Sequence, residues 1–421
     1  MWGKAKPARR MRAVDCLRQR THPLRAAASL ILVSLAAAPL LEAQYEVAPS
    51  GRPRFDRLMA DTQLKPLRCN VNSWQPRLDF AFRFQAGYSV HFPVYQYEGD
   101  HNQIYLLTRV VPEGASPVPL IQQFTLPKVP VKNHTWLAVD GAFLLGPGRY
   151  KVELLLADNS GRACRANWNM HTPRRAENLP VALSLPAGAV EPLTSRRWDE
   201  VLAPDLAAAK LTIFLDATPL NLRSTQLRPF DRILLVNSLI SLLARVPHRD
   251  VRLVAFNLDQ QKVIAEEDHL DEQGFRRLKN KLRDLQLSTV DYKVLEHRKG
   301  HVDLLARLMN AEIAAPARSD AIVFVGPASW LGDRFPPDRI ERGNGSLPHV
   351  VYFEYHPYWG RGPEFPDVLR NLTKVCAGKV FAIHSPAELA NALDTFTRAL
   401  ASSRLDSGRQ GGIPSAAVTG P

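Results

Sequence analysis

Oxygen-bearing side chains that could bind a divalent cation follow an apolar run in the second half of the chain. Residues 211–215 read LTIFL, and Asp216 and Thr218 come directly after them. Carboxylates and hydroxyls are the hard oxygen ligands that Mg²⁺ prefers. Leu220, which follows at the same spacing, cannot coordinate a cation. The sequence therefore predicts at most a partial Mg²⁺ site, formed by Asp216 and Thr218.

Three histidines, His301, His356 and His384, fall at or near loops on the carboxyl edge of the predicted sheet. Three imidazoles can hold Zn²⁺ and leave one position open for water. Their loops are separated in sequence, however, and no paired His or Cys spacing brings ligands together. The chain also lacks the Gly-x-Ser-x-Gly turn of many hydrolases and a phosphate-binding glycine loop. We therefore expect a protein that is not an enzyme, with a metal-dependent hydrolase as the weakest alternative.

Tyr358, Trp359 and Arg361 follow a predicted strand at residues 349–355. An exposed aromatic pair beside an arginine is typical of the residues that anchor protein interfaces. The alternative is a loop that folds back and caps the sheet. We predict that these three residues bind a protein partner.

The elements that must position these candidates lie between residues 210 and 402, where apolar strands and amphipathic helices alternate. Such alternation predicts a doubly wound, mostly parallel α/β sheet, whose ligands bind at the carboxyl ends of the strands. The predicted strands are residues 211–215, 251–258, 261–265, 321–325, 349–355 and 379–383. The predicted helices are residues 230–244, 272–285, 301–314, 366–375 and 386–401.

Residues 62–170 follow a different pattern, in which short strands are separated by turn signals. The predicted strands are residues 67–71, 78–84, 88–95, 103–111, 121–126, 137–142 and 150–157. Seven strands in this length predict an antiparallel β-sandwich, and residues 78–84 alternate with the period of two that a half-buried strand requires. Tyr150, two residues after a Pro-Gly turn, resembles the tyrosine corner of immunoglobulin and fibronectin-type sandwiches. The alternative is an ordinary turn that enters a strand.

Residues 210–402 resemble a von Willebrand factor A domain, in the order of their elements and in the placement of Asp216 and Thr218. With the preceding sandwich, the chain resembles exported A-domain proteins of the acidobacterial type. The family's metal-ion-dependent adhesion site also needs a second hydroxyl, a Thr and an Asp, but Leu220, His301 and Gly326 stand at those positions here. The resemblance thus implies a degenerate, vestigial site with no cofactor. A Mg²⁺-dependent adhesin that uses Asp216 and Thr218 is the alternative.

Residues 1–43 have the composition of an export signal. A basic stretch precedes an apolar run of about a dozen residues, which is short for a membrane span. We expect a cleaved signal peptide and a secreted or periplasmic protein, or else an uncleaved N-terminal membrane anchor. Because export favours oxidation, Cys69 and Cys164 are expected to form a disulfide, although two unpaired buried thiols remain the alternative.

Length, composition and charge argue against further classes of protein and function. The 421 residues predict two to three domains, and 45% hydrophobic with 23% charged residues excludes wholesale disorder. Nearly half of the net charge of +13 lies in residues 1–43, so charge does not favour nucleic-acid binding. Residues 171–209 are rich in proline and predict a linker with one candidate strand at 181–185. Residues 403–421 predict a disordered tail.

The whole pattern predicts an exported, non-catalytic protein of the interaction or adhesion type. Its A-like domain is expected to bind a protein partner through the loops at the carboxyl edge of the sheet. No small-molecule substrate is expected, and a membrane is expected to be contacted only through an uncleaved N-terminal segment.

Overall fold

The structure is a computed structural model of the chain. It describes residues 44–97, 102–126, 135–173, 183–194, 197–220, 226–287, 292–328, 331–342, 347–356 and 367–410. The expected signal or anchor at residues 1–43 lies outside the described residues. Within the described ranges, no helix has the length and apolarity that crossing a membrane would require.

The first part of the described chain forms two sheets. Its elements are β1 (Tyr45–Glu46), α1 (Arg52–Ala60), β2 (Lys65–Pro66), β3 (Asn70–Leu78), β4 (Phe84–Pro93), β5 (Gln103–Pro112), β6 (Val118–Thr125), β7 (Trp136–Leu145), β8 (Gly148–Asp158), β9 (Arg162–Thr172) and β10 (Val190–Pro192). One sheet has the strand order β1-β6-β5-β8-β9-β2 and the other β10-β7-β4-β3. The pairing is antiparallel except between β2 and β9.

Side chains from both sheets share one hydrophobic core. Tyr88, Val90 and Phe92 alternate along β4 and are fully buried with Leu154 and Leu156 of β8. This alternation leaves the other face of each strand outside that core. The burial of aromatic and branched side chains at every second position stabilises both sheets together.

Two specific contacts fasten this part of the chain. Cys69 and Cys164 form a disulfide with their Cα atoms 6.1 Å apart, which links the segment before β3 to β9. The Tyr150 hydroxyl donates a hydrogen bond to the carbonyl oxygen of Gly146 at 2.8 Å. This is the backward contact to the backbone that a tyrosine corner requires.

The predicted strand at residues 78–84 is wrong, because these residues turn. β3 ends at Leu78, β4 begins at Phe84, and Phe82 adopts a positive φ of 60°. Between the two strands, Asp79 Oδ1 accepts hydrogen bonds from the backbone N–H groups of Ala81 and Arg83, both at 2.9 Å. A carboxylate that binds nearby backbone donors favours a turn over a strand. We call residues 79–83 the inserted turn.

The inserted turn packs against the second part of the chain. Phe82 is buried in the core of that part, with the Arg245 guanidinium 4.3 Å from its ring centre. The Ser241 hydroxyl donates to the Phe80 carbonyl at 2.8 Å, and the Phe80 ring meets the Tyr355 ring edge-on at 5.2 Å. The alternation of apolar residues is thus explained by burial in a neighbouring core rather than by a sheet.

The second part forms a single mixed α/β sheet with helices on both faces. Its elements are β11 (Ala209–Asp216), α2 (Pro229–Leu243), β12 (His248–Asn257), β13 (Lys262–Glu267), α3 (Glu272–Asp284), α4 (Tyr292–Glu296), α5 (Gly300–Ala314), β14 (Ala321–Pro327), β15 (His349–Tyr355), α6 (Val368–Val375), β16 (Lys379–Ile383) and α7 (Pro386–Gln410). The strand order is β13-β12-β11-β14-β15-β16, and all neighbours are parallel except β12 and β13. A mostly parallel sheet is therefore present, as the alternation of elements predicted.

The central strands are buried on both faces. In β11, Ile213 and Leu215 belong to the core beneath α2, α3 and α7, whereas Phe214 belongs to the core beneath α5 and α6. A strand that is covered on both sides needs a continuous apolar run, which β11 and β14 have. α3 begins at a cap, because the side chain of Asp271 accepts a hydrogen bond from the backbone N–H of Gly274 at 2.7 Å.

The boundaries of several elements differ from prediction, and the largest differences lie at the expected linker, in β9 and α1, and at the C-terminus. The expected linker at 171–209 contributes β10, which pairs with β7, and the candidate strand at 181–185 is not a strand where it is described. β9 and α1 were not predicted at all. α7 continues to Gln410, so the disordered tail expected from residue 403 is wrong up to that point. No proline or glycine interrupts residues 387–407, which explains the longer helix.

Candidate functional site

The candidate site lies at the carboxyl edge of the α/β sheet, where β11 and β14 are neighbours. The chain moves outward in one direction from β11 to β12 and in the other from β14 to β15. Loops diverge at such a switch point and leave a crevice in which ligands bind. Asp216 is the last residue of β11 and therefore lies at this point.

The structure brings Asp216 and Thr218 into direct contact. The Thr218 hydroxyl donates to Asp216 Oδ1 at 2.6 Å and its backbone N–H donates to the same oxygen at 3.1 Å. Oδ2 has no hydrogen-bond partner among the described residues. The residue is fully buried, and this burial raises the pKa of Asp216 well above its ordinary value of 3.8. The hydrogen bonds from Thr218 oppose the rise, and the charges of Asp259 and Asp367 add to it.

The resemblance expects further Mg²⁺ ligands at three positions, which hold Leu220, Gly326 and His301 instead. The surroundings of each residue show why it does not complete a Mg²⁺ site. Leu220 is buried in the core beneath α2. A Cβ atom at Gly326 would lie 2.6 Å from the Cβ of Asp216, so no aspartate fits there without a shift of the strands. His301 is buried, with Nε2 at 2.9 Å from Oδ2 of Asp333. The residues around Asp216 therefore fit a closed strand end better than a six-coordinate Mg²⁺ site.

The three histidines do not assemble. The rings of His356 and His384 stack at a centroid distance of 4.8 Å, but His301 contacts Asp333 instead. In the part of the chain that the structure describes, no three His, Cys, Asp or Glu side chains are grouped closely enough to hold a metal ion. The arrangement that a zinc hydrolase needs is therefore not formed by these histidines.

A charged cluster fixes the end of β15. Glu354 is almost completely buried, and its Oε2 accepts hydrogen bonds from Arg370 Nε at 3.0 Å and Nη2 at 2.6 Å. Its Oε1 lies 3.1 Å from His356 Nε2. Burial alone would raise the pKa of Glu354, but the hydrogen bonds and charges of His356 and Arg370 outweigh it and lower the pKa. We call Glu354, His356, Arg370 and His384 the β15-end cluster.

A second set of hydrogen bonds ties the same edge to β14. Asp367 caps α6, because its Oδ1 accepts from the backbone N–H groups of Leu369 at 2.7 Å and Arg370 at 3.2 Å. The buried Tyr352 hydroxyl lies between strands and donates to the Pro327 carbonyl at 2.9 Å. The first turn of α6, which carries Arg370, is therefore held in a fixed position against β15.

Sequence reasoning missed Glu354, Arg370 and Asp367. One signal was present, since Glu354 lies inside the run VVYFEY, and a carboxylate in a buried strand requires a partner. The identity of that partner depends on how α6 packs. Tyr358, Trp359 and Arg361, predicted to bind a partner, lie outside the described residues.

Comparisons with known proteins add little. No family model and no characterised protein matches this chain. A protein assigned as ApaA from Bordetella pertussis matches 27% of this chain and 99% of its own at 15% identity and a TM-score of 0.17. Bacteroides uniformis beta-glucuronidase matches 73% of this chain and 38% of its own at 10% identity and a TM-score of 0.18. Spo0M, a sporulation control protein from Bacillus subtilis, gives a TM-score of 0.14. Similarities this weak carry no argument about fold or function.

Proposed function

We propose that this chain is an exported, non-catalytic interaction protein that binds a protein partner through the carboxyl edge of its α/β sheet, without a metal ion. The basic and apolar stretches of residues 1–43 support export. The observation that carries the binding proposal is the β15-end cluster. It fixes the end of β15, and the next ten residues in the sequence, 357–366, include the aromatic and basic side chains of Tyr358, Trp359 and Arg361.

The proposal includes a specific fold for each of the two parts of the chain. We propose that the two N-terminal sheets form a β-sandwich of the immunoglobulin or fibronectin type, supported by their shared core and the Tyr150 hydrogen bond. For the α/β part we propose a von Willebrand A-like domain. Its strand order, with β13 antiparallel at the edge, and the position of Asp216 support this assignment.

A strand end that is held in a fixed position favours tight binding by the residues that follow it in the sequence. The carboxylate of Glu354 is desolvated, so its two bonds to Arg370 and its contact with His356 are stronger than they would be in water. The stacked ring of His384 braces His356 from β16. A binding segment with one end fixed loses less conformational entropy when it binds, and this loss is a main cost of association.

The proposal is tested by capture of a partner from the envelope of the producing cell. The full chain is immobilised, a stoichiometrically bound protein is identified and purified, and its affinity is measured for wild type and for Trp359→Ala. Because central aromatic anchors dominate interfaces, we expect Trp359→Ala to weaken binding about tenfold or more. Tyr292→Ala removes an aromatic residue that is 71% exposed on α4 and serves as the matched control.

The same titration separates the second candidate, a Mg²⁺-dependent adhesin. The unpartnered Oδ2 of Asp216 is the observation that favours it. If binding needs Mg²⁺, is abolished by EDTA and is lost in Asp216→Ala, then the adhesin is correct and metal-free binding is wrong. Equal affinity of wild type and Trp359→Ala, with both folded, would contradict the assignment of the aromatic loop.

A further inference from the structure

The outer face of the β10-β7-β4-β3 sheet carries exposed aromatic and polar side chains in a regular array. Since Tyr88 and Val90 point into the core, Ser89 and His91 point to the other face of β4. Cross-strand pairing sets their neighbours in rows. The rows are Trp74 with Gly87 and Ala142, then Asn72 with Ser89 and Asp140, then Asn70 with His91 and Ala138. We call these residues, together with Trp136, the outer sheet face.

Trp74 lies over a position that only glycine leaves open. Its ring atoms Cε3 and Cζ3 are 2.9 and 3.0 Å from the point where a Cβ of Gly87 would be. The same Cβ would lie 2.4 Å from the Gly141 carbonyl oxygen, so any other residue at Gly87 would force the neighbouring strand or the indole to shift. Even so, the side chain is 37% exposed, so the sheet supports a large aromatic surface that it does not cover.

A second tryptophan stands at the other end of the face. Trp136 is 46% exposed, and the Arg68 guanidinium packs 5.4 Å from its ring centre. Arg68 also donates to the Tyr95 hydroxyl at 3.2 Å, which positions the guanidinium beside the indole. Trp74 pairs with Gly87 and Trp136 with Pro93. Gly87 and Pro93 are six positions, or about 20 Å, apart along β4. Trp74 and Trp136 lie on the strands on either side of β4, so the line between the two indoles crosses the strands at an angle.

The row between the tryptophans is polar. Asn72, Ser89 and Asp140 lie side by side on three strands, and the Ser89 hydroxyl donates to Asp140 Oδ1 at 2.6 Å. This row presents amide, hydroxyl and carboxylate groups, which can both donate and accept hydrogen bonds. Arg68 and Arg77 contribute positive charge and Asp140 and Glu191 contribute negative charge, so the described charges balance and the face complements an uncharged ligand better than an ionic one.

We infer that the outer sheet face binds an extended neutral oligosaccharide. Pyranose rings present weakly positive C–H groups, which pack on the negatively polarised face of an indole, while their hydroxyls need donors and acceptors nearby. A sheet face with one indole near each end suits a straight, β-1,4-linked chain that runs diagonally across β4 from Trp74 to Trp136. This site is independent of the protein-binding edge proposed above.

The test is isothermal titration calorimetry of the full chain with cellohexaose and with chitohexaose. We expect saturable binding of at least one hexasaccharide, and a loss of about tenfold in affinity for both Trp74→Ala and Trp136→Ala. Asn72→Ala removes a polar contact without removing buried surface, and it should weaken binding by a smaller factor. Tyr292→Ala should leave the affinity unchanged.

Two results would overturn the inference. The first is the absence of heat with both hexasaccharides at millimolar concentration, for a chain whose unfolding transition is intact. The second is wild-type affinity in Trp74→Ala, Trp136→Ala and Asn72→Ala together. If sedimentation velocity instead shows a dimer that Trp74→Ala dissociates, and no saccharide binds, the face is a contact between two copies.

Discussion

At the scale of single residues, two buried carboxylates at one sheet edge have opposite protonation preferences. No Lys or Arg side chain among the described residues pairs with Asp216, and its burial favours the neutral acid. Glu354 is equally buried, but Arg370 and His356 compensate its charge and favour the carboxylate. Desolvation is common to both, so the partner decides which form is stable.

Asp216 makes stability depend on pH in a direction that can be measured. Its pKa in the folded state lies above the ordinary value of 3.8, so its contribution to the free energy of unfolding is fully present below that value. The contribution is lost as pH rises through the raised pKa, at about 1.4 kcal/mol per unit of difference. We therefore expect wild type to lose stability relative to Asp216→Asn as pH rises above about 4.

Urea unfolding of both proteins across this pH range checks the expectation. Asp338→Asn, which changes an exposed carboxylate, is the control and should follow wild type. Parallel curves for wild type and Asp216→Asn would mean that Asp216 is ionised in the folded protein.

At the scale of elements, the inserted turn shows how a short segment can be stabilised by a distant core. The Asp79–Arg83 ion pair at 3.1 Å is buried, and Asn237 of α2 donates to the same carboxylate at 3.5 Å. Phe82 closes the turn with a left-handed backbone that costs a non-glycine residue roughly 1 kcal/mol. Burial of its ring in the α/β core offsets that cost.

The left-handed conformation of Phe82 predicts that glycine destabilises the protein less than alanine at this position, which is the reverse of the usual order. Both Phe82→Ala and Phe82→Gly lose the buried ring, at about 3–5 kcal/mol for alanine. Because glycine adopts positive φ freely, we expect Phe82→Gly to be less destabilising than Phe82→Ala, by up to about 1 kcal/mol. Chemical unfolding of the two variants measures the difference.

Phe92 provides the control for that order. It is fully buried in β4 and has no positive φ, so glycine should be worse than alanine there. If glycine is the more destabilising residue at both positions, Phe82 does not hold the left-handed conformation.

The same elements show what sequence could predict. β15 and β16 were predicted to the residue and β11 and β14 nearly so, since an apolar run flanked by turn residues specifies a buried strand locally. β9 was missed because RACRANWNMHT has few apolar residues, and its strand form depends on pairing with β8. Apolar residues at every second position form the same sequence pattern whether they pack in their own sheet or against a neighbouring core. Residues 78–84 were predicted as a strand for this reason.

The contacts of the candidate site also include some that sequence could predict and some that it could not. Asp216 and Thr218 are two residues apart, so their proximity follows from local geometry and was expected from the sequence, although their hydrogen bond was not. The Glu354–Arg370 pair spans sixteen positions and requires α6 to pack against β15. The steric contact of Gly326 with Asp216 spans two strands that are distant in sequence, and only the folded sheet reveals it.

At the scale of the whole molecule, the Cys69–Cys164 disulfide closes a loop with a sequence separation of 95. Cross-linking distant residues restricts the unfolded chain, and a loop of this length is associated with roughly 4 kcal/mol of stabilisation. The bond joins the segment before β3 to β9 and so connects the two N-terminal sheets.

The double variant Cys69→Ala/Cys164→Ala should therefore unfold at lower denaturant concentration, with a loss of about 4 kcal/mol. Guanidinium unfolding under oxidising conditions measures it, and Cys376→Ala is the control for removal of a buried thiol that forms no disulfide. A double variant as stable as wild type would show that the bridge contributes nothing to the native protein.

The contact between Phe80 and Tyr355 has a mechanical consequence. Tyr355 is the last residue of β15, directly before His356, and the inserted turn joins it to β3 and β4 through a ring contact. A pulling force applied at that strand end reaches the N-terminal sheets through side chains as well as along the covalent backbone. The proline-rich segment between the two parts then carries only a share of the load.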